Sequence, residues 1–186
     1  MTAVETGVRA RTRRAILDAA IERLTKQPNA SLADIAAAAN VGRTTVHRYF
    51  PERADLIDAI SADALEKVAH ATSRARTDEG TATAALTRLC QEYFEFGDLF
   101  MLIFTMPDLL TREEWQEESE DDRRLLRLIE RGHGEGTIDA DMPAAWVQSL
   151  LWSVLYTAWE QVREARMPKH EALTLCLRTV AKAVTP

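Results

Sequence analysis

Two short helices joined by a tight turn are predicted by the apolar and polar positions between residues 31 and 50. The apolar side of the first helix begins at Leu32. Ser31 stands at its N-cap and Asp34 follows three residues later, which is the spacing of a capping box. Asn40 lies where the chain must turn, and asparagine tolerates the left-handed conformation that ends many helices. The pattern therefore predicts a helix-turn-helix.

The second of these helices has an apolar side and a polar side. Its apolar side consists of Val46, Tyr49 and Phe50, which recur at helical spacing. Its polar side carries hydrogen-bond donors and cations, namely Arg43, Thr44, Thr45, His47 and Arg48. A short helix with such an outer side is typical of the element that enters the major groove of DNA.

Helical patterns also account for most of the remaining chain, and no segment shows the sustained alternation of a β-strand. One helix is predicted before the motif, from about residue 9 to 26, and a long one after it, from about 52 to 75. Five more helices are predicted near residues 81–96, 99–106, 111–131, 143–166 and 169–184. In the third of these, Gly132, Gly134 and Gly136 are expected to end the helix, with His133 in the loop.

We therefore predict an all-α fold of about nine helices in two domains. Residues 1–50 form the helix-turn-helix DNA-binding domain, residues 51–186 form a C-terminal effector-binding and dimerisation domain, and the helix over about 52–75 connects them. The last two helices carry more apolar surface than one small bundle needs. A homodimer interface is the predicted use of that surface.

The charge distribution differs between the two parts of the chain. Residues 1–50 hold eight Lys and Arg against four Asp and Glu, whereas residues 51–186 hold fifteen against twenty-five, within a net charge of −6. A basic N-terminal part predicts a polyanionic partner for that part alone; a solvated basic face is the alternative. The dense acids between Glu113 and Asp122 are interpreted as a solvated helix surface, or alternatively as a rim that attracts a cationic ligand.

Several functional classes are disfavoured by what the sequence lacks. Cys90 and Cys176 lie in apolar helical patterns and make neither a disulfide framework nor a metal site. There is no metal-spaced cluster, no phosphate-binding glycine loop and no pairing of a nucleophile with a base. No apolar run has the length of a membrane span or the form of a signal peptide. We therefore expect a cytoplasmic protein that is not an enzyme and needs no cofactor.

Residues 14–57 resemble the DNA-binding domain of the TetR-type (tetracycline-repressor-like) transcriptional regulators. The resemblance rests on short motifs in three helices and the turn, namely Ile16-Leu17-Asp18-Ala19-Ala20, Ile35-Ala36, Val41, Tyr49-Phe50-Pro51, Arg53 and Asp55-Leu56. The sequence departs from the family pattern at four positions: Asn40 and Thr44 replace frequent glycines, Gly42 a common serine and His47 a frequent tyrosine. Because these include base-reading positions, the resemblance does not predict the operator sequence.

The resemblance implies roles for the polar residues of the motif. Arg43, Thr44 and His47 are the predicted readers of base edges, since arginine can bond guanine bidentately and threonine can meet a thymine methyl group. The predicted phosphate ligands are Thr45, Arg48, Tyr49 and Arg53, and Ser31 is expected to add a contact at its helix N-terminus. The expected partner is a double-stranded DNA operator bound by a homodimer.

The aromatic residues of the C-terminal part are the candidate effector site. Ten of the twelve aromatic residues fall between Tyr93 and Trp159. The residues predicted to line a cavity are Phe94, Met101, Phe104, Trp115, Trp152, Tyr156 and Trp159. The residues alone also allow an ordinary aromatic core, whereas the resemblance implies a cavity. A bulky hydrophobic or a cationic effector suits these side chains, because cations stack on tryptophan faces.

The predicted function is a homodimeric DNA-binding regulator, specifically a repressor released from a palindromic operator by a small hydrophobic or cationic effector. The alternative is a DNA-binding dimer whose C-terminal domain binds no small molecule and serves dimerisation or protein docking.

Overall fold

The computed structural model describes residues 7–106, 115 and 119–186, and these residues form nine α-helices without a β-strand. In chain order the helices are α1 (Val8–Lys26), α2 (Leu32–Ala38), α3 (Arg43–Tyr49), α4 (Arg53–Arg74), α5 (Ala82–Phe94), α6 (Gly97–Thr105), α7 (Glu120–Glu135), α8 (Ala144–Arg163) and α9 (Lys169–Val184). The predicted all-α fold is confirmed. The predicted start of the seventh helix, near residue 111, lies outside the described residues.

The helix-turn-helix is built by local capping interactions. The Ser31 hydroxyl accepts a hydrogen bond from the Asp34 amide at 3.2 Å, and the Asp34 carboxylate accepts one from the Ser31 amide at 2.8 Å. These two bonds complete the predicted capping box of α2. Asn40 adopts φ 53°, and the Val41 amide donates to the Ala36 carbonyl at 3.0 Å. The predicted left-handed turn between α2 and α3 is therefore confirmed.

A small apolar core holds α3 against α1 and α4. Ile16 and Leu24 of α1, Val46 of α3 and Leu56 of α4 have no exposed surface, and Phe50 is 2% exposed. Complete burial of a side chain of this size stabilises the fold by roughly 1.5–3 kcal/mol. The orientation of α3 is thus fixed by packing on its inner side.

A half-buried ion-pair network links α1 to α4. Arg14 binds both Asp18 of its own helix and Asp63 of α4, and Lys67 lies 2.9 Å from Asp63. The hydrogen bond to Asp18 raises the pKa of Arg14. Burial opposes the ionisation of Asp63, but its hydrogen bonds from Arg14 and Lys67 outweigh that cost and lower its pKa. The network therefore needs an ionised Asp63.

Substitution of Asp63 by asparagine is expected to lower the free energy of unfolding by about 1 kcal/mol at pH 7, because Arg14 and Lys67 lose a partly screened carboxylate. The native pKa of Asp63 is lowered, so its stabilisation is fully present above the ordinary aspartate pKa and is lost as the pH falls through the native value. Urea unfolding between pH 7 and pH 2 checks this result. Glu66→Gln, at an exposed position of α4, is the control; a deficit that is equal at all pH values would contradict the assignment.

The C-terminal helices pack through stacked aromatic rings. Tyr93 of α5 stacks on Trp152 of α8 with ring centroids 4.9 Å apart, and Phe94 stacks on Trp159 at 4.7 Å. The Tyr93 hydroxyl lies 2.9 Å from the Thr72 hydroxyl in the interior, which ties α5 to α4. The long helix α4 therefore contacts both the helix-turn-helix motif and the C-terminal helices.

The seventh helix ends at the last of the three predicted glycines, whereas the predicted loop position of His133 is wrong. Helix α7 continues to Glu135, so His133 is a helical residue, and Gly136 ends the helix with φ 66°. Gly132 serves close packing instead, because a Cβ atom there would lie 2.5 Å from Cδ1 of Ile138. Within the described ranges, the helices are all too short or too polar to cross a membrane.

Candidate DNA-binding surface and effector region

Helix α3 presents a polar outer side because its inner side is anchored. Val46 is completely buried, whereas Arg43 and Thr44 at the start of the helix are exposed. Among the described residues, neither Arg43 nor Thr44 has a side-chain hydrogen bond or an ion pair. Thr45 is half-buried on the same helix. The donors of the first turn are therefore available to an external partner.

His47 is oriented by the chain segment that follows α3. Its Nδ1 lies 3.2 Å from the carbonyl oxygen of Pro51. A carbonyl oxygen can only accept, so Nδ1 carries the hydrogen in this bond. In the neutral ring, Nε2 is then a hydrogen-bond acceptor. With a neutral ring, His47 thus offers an acceptor next to the donors of Arg43 and Thr44.

Tyr49 and Phe50 are flanked by guanidinium groups. The guanidinium carbons of Arg9 and Arg48 lie 5.8 and 5.4 Å from the centroid of the Tyr49 ring, and that of Arg13 lies 5.5 Å from the Phe50 ring. Cations over aromatic faces at these distances are mutually attractive. Arg9 was not among the residues predicted to contact DNA. Its position near the start of an arginine-rich helix was the one sequence feature that pointed to it. The structure thus places two arginines over the predicted phosphate ligand Tyr49 and a third over the neighbouring Phe50.

Arg53 stabilises the loop between α1 and α2 through hydrogen bonds. Its Nη1 donates to the carbonyl oxygen of Ala30 at 2.5 Å, and its Nη2 donates to that of Pro28 at 2.6 Å. These bonds hold the loop that leads to Ser31, which is exposed at the start of α2. Arg53 therefore has an internal role beside the phosphate contact predicted for it.

The predicted effector residues lie mostly in one aromatic cluster. Phe94 and Met101 are buried, with 0% and 1% exposure, and Trp152 and Trp159 take part in the two ring stacks. Phe104 and Tyr156 make an edge contact with centroids 5.4 Å apart at the periphery. Trp115 stands apart from these pairs and donates its indole N–H to the Ser61 hydroxyl of α4 at 2.7 Å.

The acidic start of α7 is neutralised by arginines of the same helix. Glu120 accepts hydrogen bonds from Arg123 at 3.0 Å and from Arg127 at 2.7 Å. The bond from Arg127 is the largest cause that lowers the pKa of Glu120. These pairs favour the interpretation of residues 120–122 as a solvated helix surface; the acidic residues between 113 and 118 lie outside the described residues. Asp121 differs, since partial burial raises its pKa.

Known regulatory proteins are similar to the helix-turn-helix region and also to the chain as a whole. A model of the bacterial regulatory proteins, tetR family, matches residues 16–60. The HTH-type transcriptional repressor LfrR of Mycolicibacterium smegmatis is 32% identical over 182 residues, which cover 97% of this chain and 94% of that protein.

Solved structures show the same arrangement of helices. The crystal structure of LfrR from Mycobacterium smegmatis in complex with proflavine matches with a TM-score of 0.74 and 32% identity over 95% of this chain and 98% of that chain. The ketosteroid transcriptional regulator KstR2 of Mycobacterium tuberculosis matches with a TM-score of 0.73 at 15% identity, over 100% of both chains, and shares the fold. These relatives are named transcriptional regulators rather than enzymes, and the chain belongs to the TetR family of bacterial regulatory proteins.

Proposed function

We propose that the chain acts in the cytoplasm as a homodimeric repressor, bound to a palindromic operator and released by a small hydrophobic or cationic effector. The observation that carries the proposal is the outer side of α3, where Arg43 and Thr44 are exposed above the buried Val46. In this proposal residues 1–50 read the DNA and residues 51–186 dimerise and bind the effector. The two copies of α3 enter successive major grooves roughly 34–36 Å apart.

The proposed dimer interface is the exposed face of α8 and α9. No charged residue occurs between Ala144 and Trp159. Three hydroxyl groups on this face, those of Ser149, Ser153 and Thr157, donate to backbone carbonyls of their own helix, each at 2.9 Å. Since these hydroxyl donors are satisfied internally, the face can be buried at little cost.

Exposed apolar groups border the same face. Trp146 is 64% exposed and Leu175 is 43% exposed. A groove of about 390 Å³ runs between α8 and α9, with Val154, Met167 and Leu175 on its walls. Exposed apolar patches of this kind are typical of protein interfaces. A second copy of the chain is the proposed occupant.

Leu175→Asp is expected to raise the dimer dissociation constant by at least about tenfold, because a carboxylate would be buried in an apolar contact. Sedimentation velocity over a dilution series measures this change. Ala181→Asp is the matched control, since Ala181 is exposed on the side of α9 opposite the groove by helical geometry. Equal dissociation constants for the two variants would place the interface elsewhere.

The effector class is supported by a relative and by the aromatic stacks. The LfrR structure contains proflavine, which is a planar aromatic cation. In the present chain the stacked pairs Tyr93–Trp152 and Phe94–Trp159 bring four aromatic rings together between α5 and α8. Flat and cationic molecules stack favourably on such rings.

A second candidate function is favoured by the tight packing of two predicted effector residues. Phe94 and Met101 are 0% and 1% exposed, so their surfaces are already used by the core. A filled core of this kind suits a DNA-binding dimer whose C-terminal domain serves only dimerisation or protein docking, because such a domain needs no cavity.

The two functions are separated by operator release. The full chain is bound to a duplex selected from a random library, and tetraphenylphosphonium is then added, because this hydrophobic cation does not intercalate into DNA as proflavine does. Loss of fluorescence anisotropy of the labelled duplex supports effector-controlled release. Anisotropy that is unchanged by this cation and by a panel of uncharged hydrophobic compounds supports the second function. Absence of duplex binding would exclude both.

A further inference from the structure

A hollow of about 390 Å³ lies where α1, the α5–α6 junction and the start of α9 meet. Asp18 and Ile21 of α1, Glu95 and Phe96 of the junction and Trp159 of α8 are among its lining residues. Its walls therefore come from the proposed DNA-reading part and from the C-terminal helices. We call this space the junction hollow.

Carboxylates outnumber ammonium groups around the junction hollow. Its charged lining residues are Asp18, Glu22, Glu95, Asp98, Lys67 and Lys169. Three of these have partners outside the hollow: Asp18 binds Arg14, Glu22 binds Lys26 at 2.6 Å and Lys67 binds Asp63 at 2.9 Å. Glu95 and Lys169 instead bind each other, with 2.9 Å between Nζ and Oε2. This ion pair therefore joins two lining residues of the hollow itself.

The ammonium group of Lys169 occupies a position suited to an organic cation. Its Nζ lies on Glu95 and also 5.7 Å from the centroid of the Trp159 ring. A carboxylate beside an indole face is the combination that recognises alkylammonium groups. The side chains of Lys169 and Glu95 are 48% and 57% exposed, so this internal pair is weak and can be exchanged.

Trp159 forms a rigid wall of the junction hollow. The residue is 8% exposed, stacks on Phe94 at 4.7 Å, and lies so close to Gly97 that a Cβ atom there would clash with the indole. Its indole Nε1 is buried and, within the described part of the chain, has no hydrogen-bond partner.

We propose that the junction hollow binds a small organic cation whose charged group displaces the Lys169 ammonium from Glu95 and the Trp159 ring. Lys169 is then an internal competitor that sets the affinity for the cation. The regulatory consequence rests on the function proposed above: since Asp18 and Ile21 belong to α1, a molecule in the junction hollow bears directly on the DNA-reading part. In this proposal the effector is a cation, and Glu95 and Trp159 bind its charged group.

The test measures tetraethylammonium binding to the full-length protein without DNA. This probe has the charge and a suitable size but no aromatic ring, so it does not report stacking elsewhere in the C-terminal helices. Binding is followed by titration calorimetry and by the indole N–H resonance of Trp159 in two-dimensional NMR, which is assigned with Trp159→Phe. The variants are Lys169→Gln and Glu95→Gln. Their matched controls are Lys182→Gln and Glu171→Gln, at exposed positions of α9.

Lys169→Gln is expected to bind tetraethylammonium at least about threefold more tightly than the unchanged protein, and Glu95→Gln at least about threefold more weakly. The Trp159 indole resonance shifts on binding, while the two controls match the unchanged protein. Lack of binding to Lys169→Gln, or equal affinities for both variants, would overturn the proposal. Such a result leaves operator release by tetraphenylphosphonium unaffected, so failure of this site and failure of the proposed function are distinguishable.

Discussion

Gly97→Ala is expected to lower the free energy of unfolding by about 3 kcal/mol, the upper end of the usual cost of overpacking a core. An alanine Cβ at this position would lie 1.9 Å from Cδ2 of Trp159 and 2.0 Å from Cε2 and Cε3. The indole cannot move away easily, because its ring stacks on Phe94 at 4.7 Å and the residue is 8% exposed. Urea unfolding monitored by circular dichroism measures the loss.

The control for this variant is Gly134→Ala. Gly134 lies in α7, and no heavy atom lies within 4 Å of the position that an alanine methyl group would occupy there. Alanine at this position is therefore expected to be neutral or to stabilise by up to about 1 kcal/mol. Trp159→Leu is a second reference, because a smaller side chain removes the clash, and Gly97→Ala should cost much less in that background. A cost below about 0.5 kcal/mol for Gly97→Ala alone would refute the proposed close contact.

Arg43→Ala is expected to weaken binding to the selected operator by about 10- to 100-fold, which corresponds to the roughly 1–3 kcal/mol of a bidentate contact with a base. Arg43 is exposed at the start of α3 and, among the described residues, has no internal ion pair that its removal would break. The free energy of unfolding should therefore change by less than about 0.5 kcal/mol. Fluorescence anisotropy with labelled duplex and urea unfolding give the two quantities.

Arg43→Lys separates reading of a base from attraction to phosphate. Lysine keeps the charge but lacks the planar fork of the guanidinium group, so it should recover little of the specific affinity. Its affinity for unrelated duplexes should stay close to that of the unchanged protein. Arg178→Ala, at an exposed position of α9, is the control for loss of a positive charge. Full recovery by Arg43→Lys would assign Arg43 to phosphate contact instead.

Features governed by local rules could be predicted from the sequence. The capping box of Ser31 and Asp34 and the positive φ of Asn40 follow from residues within a few positions of each other. The bounds of α9, Lys169–Val184, also agree with the prediction, since Pro168 directly precedes the helix. Such signals depend on neighbouring residues, and a single sequence contains them completely.

Features governed by distant contacts could not be predicted in the same way. Arg53 binds carbonyl oxygens of Ala30 and Pro28, which precede it by more than twenty residues. Gly132 lies inside α7, where Ala82 of α5 and Ile138 leave no room for a Cβ atom, although glycine usually favours the end of a helix. In each case contacts with another part of the chain, rather than the neighbouring residues, determine the role of the side chain or glycine.

The candidate effector residues show the same division. The aromatic residues predicted to line a cavity include Phe94, Trp152 and Trp159, whose rings take part in stacks between α5 and α8. Periodicity carries no information on whether such rings enclose a space or fill it. Lys169 had no sequence signal as a ligand competitor, because its position over Trp159 depends on how α9 meets the α5–α6 junction.

The salt dependence of duplex binding by the full chain tests the central claim most directly. If each protomer of a dimer neutralises about three phosphates, log K should fall linearly with log salt concentration with a slope of about −5. Anisotropy titrations of a selected duplex between low and physiological salt supply the slope, and Arg48→Ala, which removes a cation beside Tyr49, should make it shallower. A slope near zero, or no duplex affinity at any salt concentration, would contradict the assignment of α3 as the DNA-reading helix.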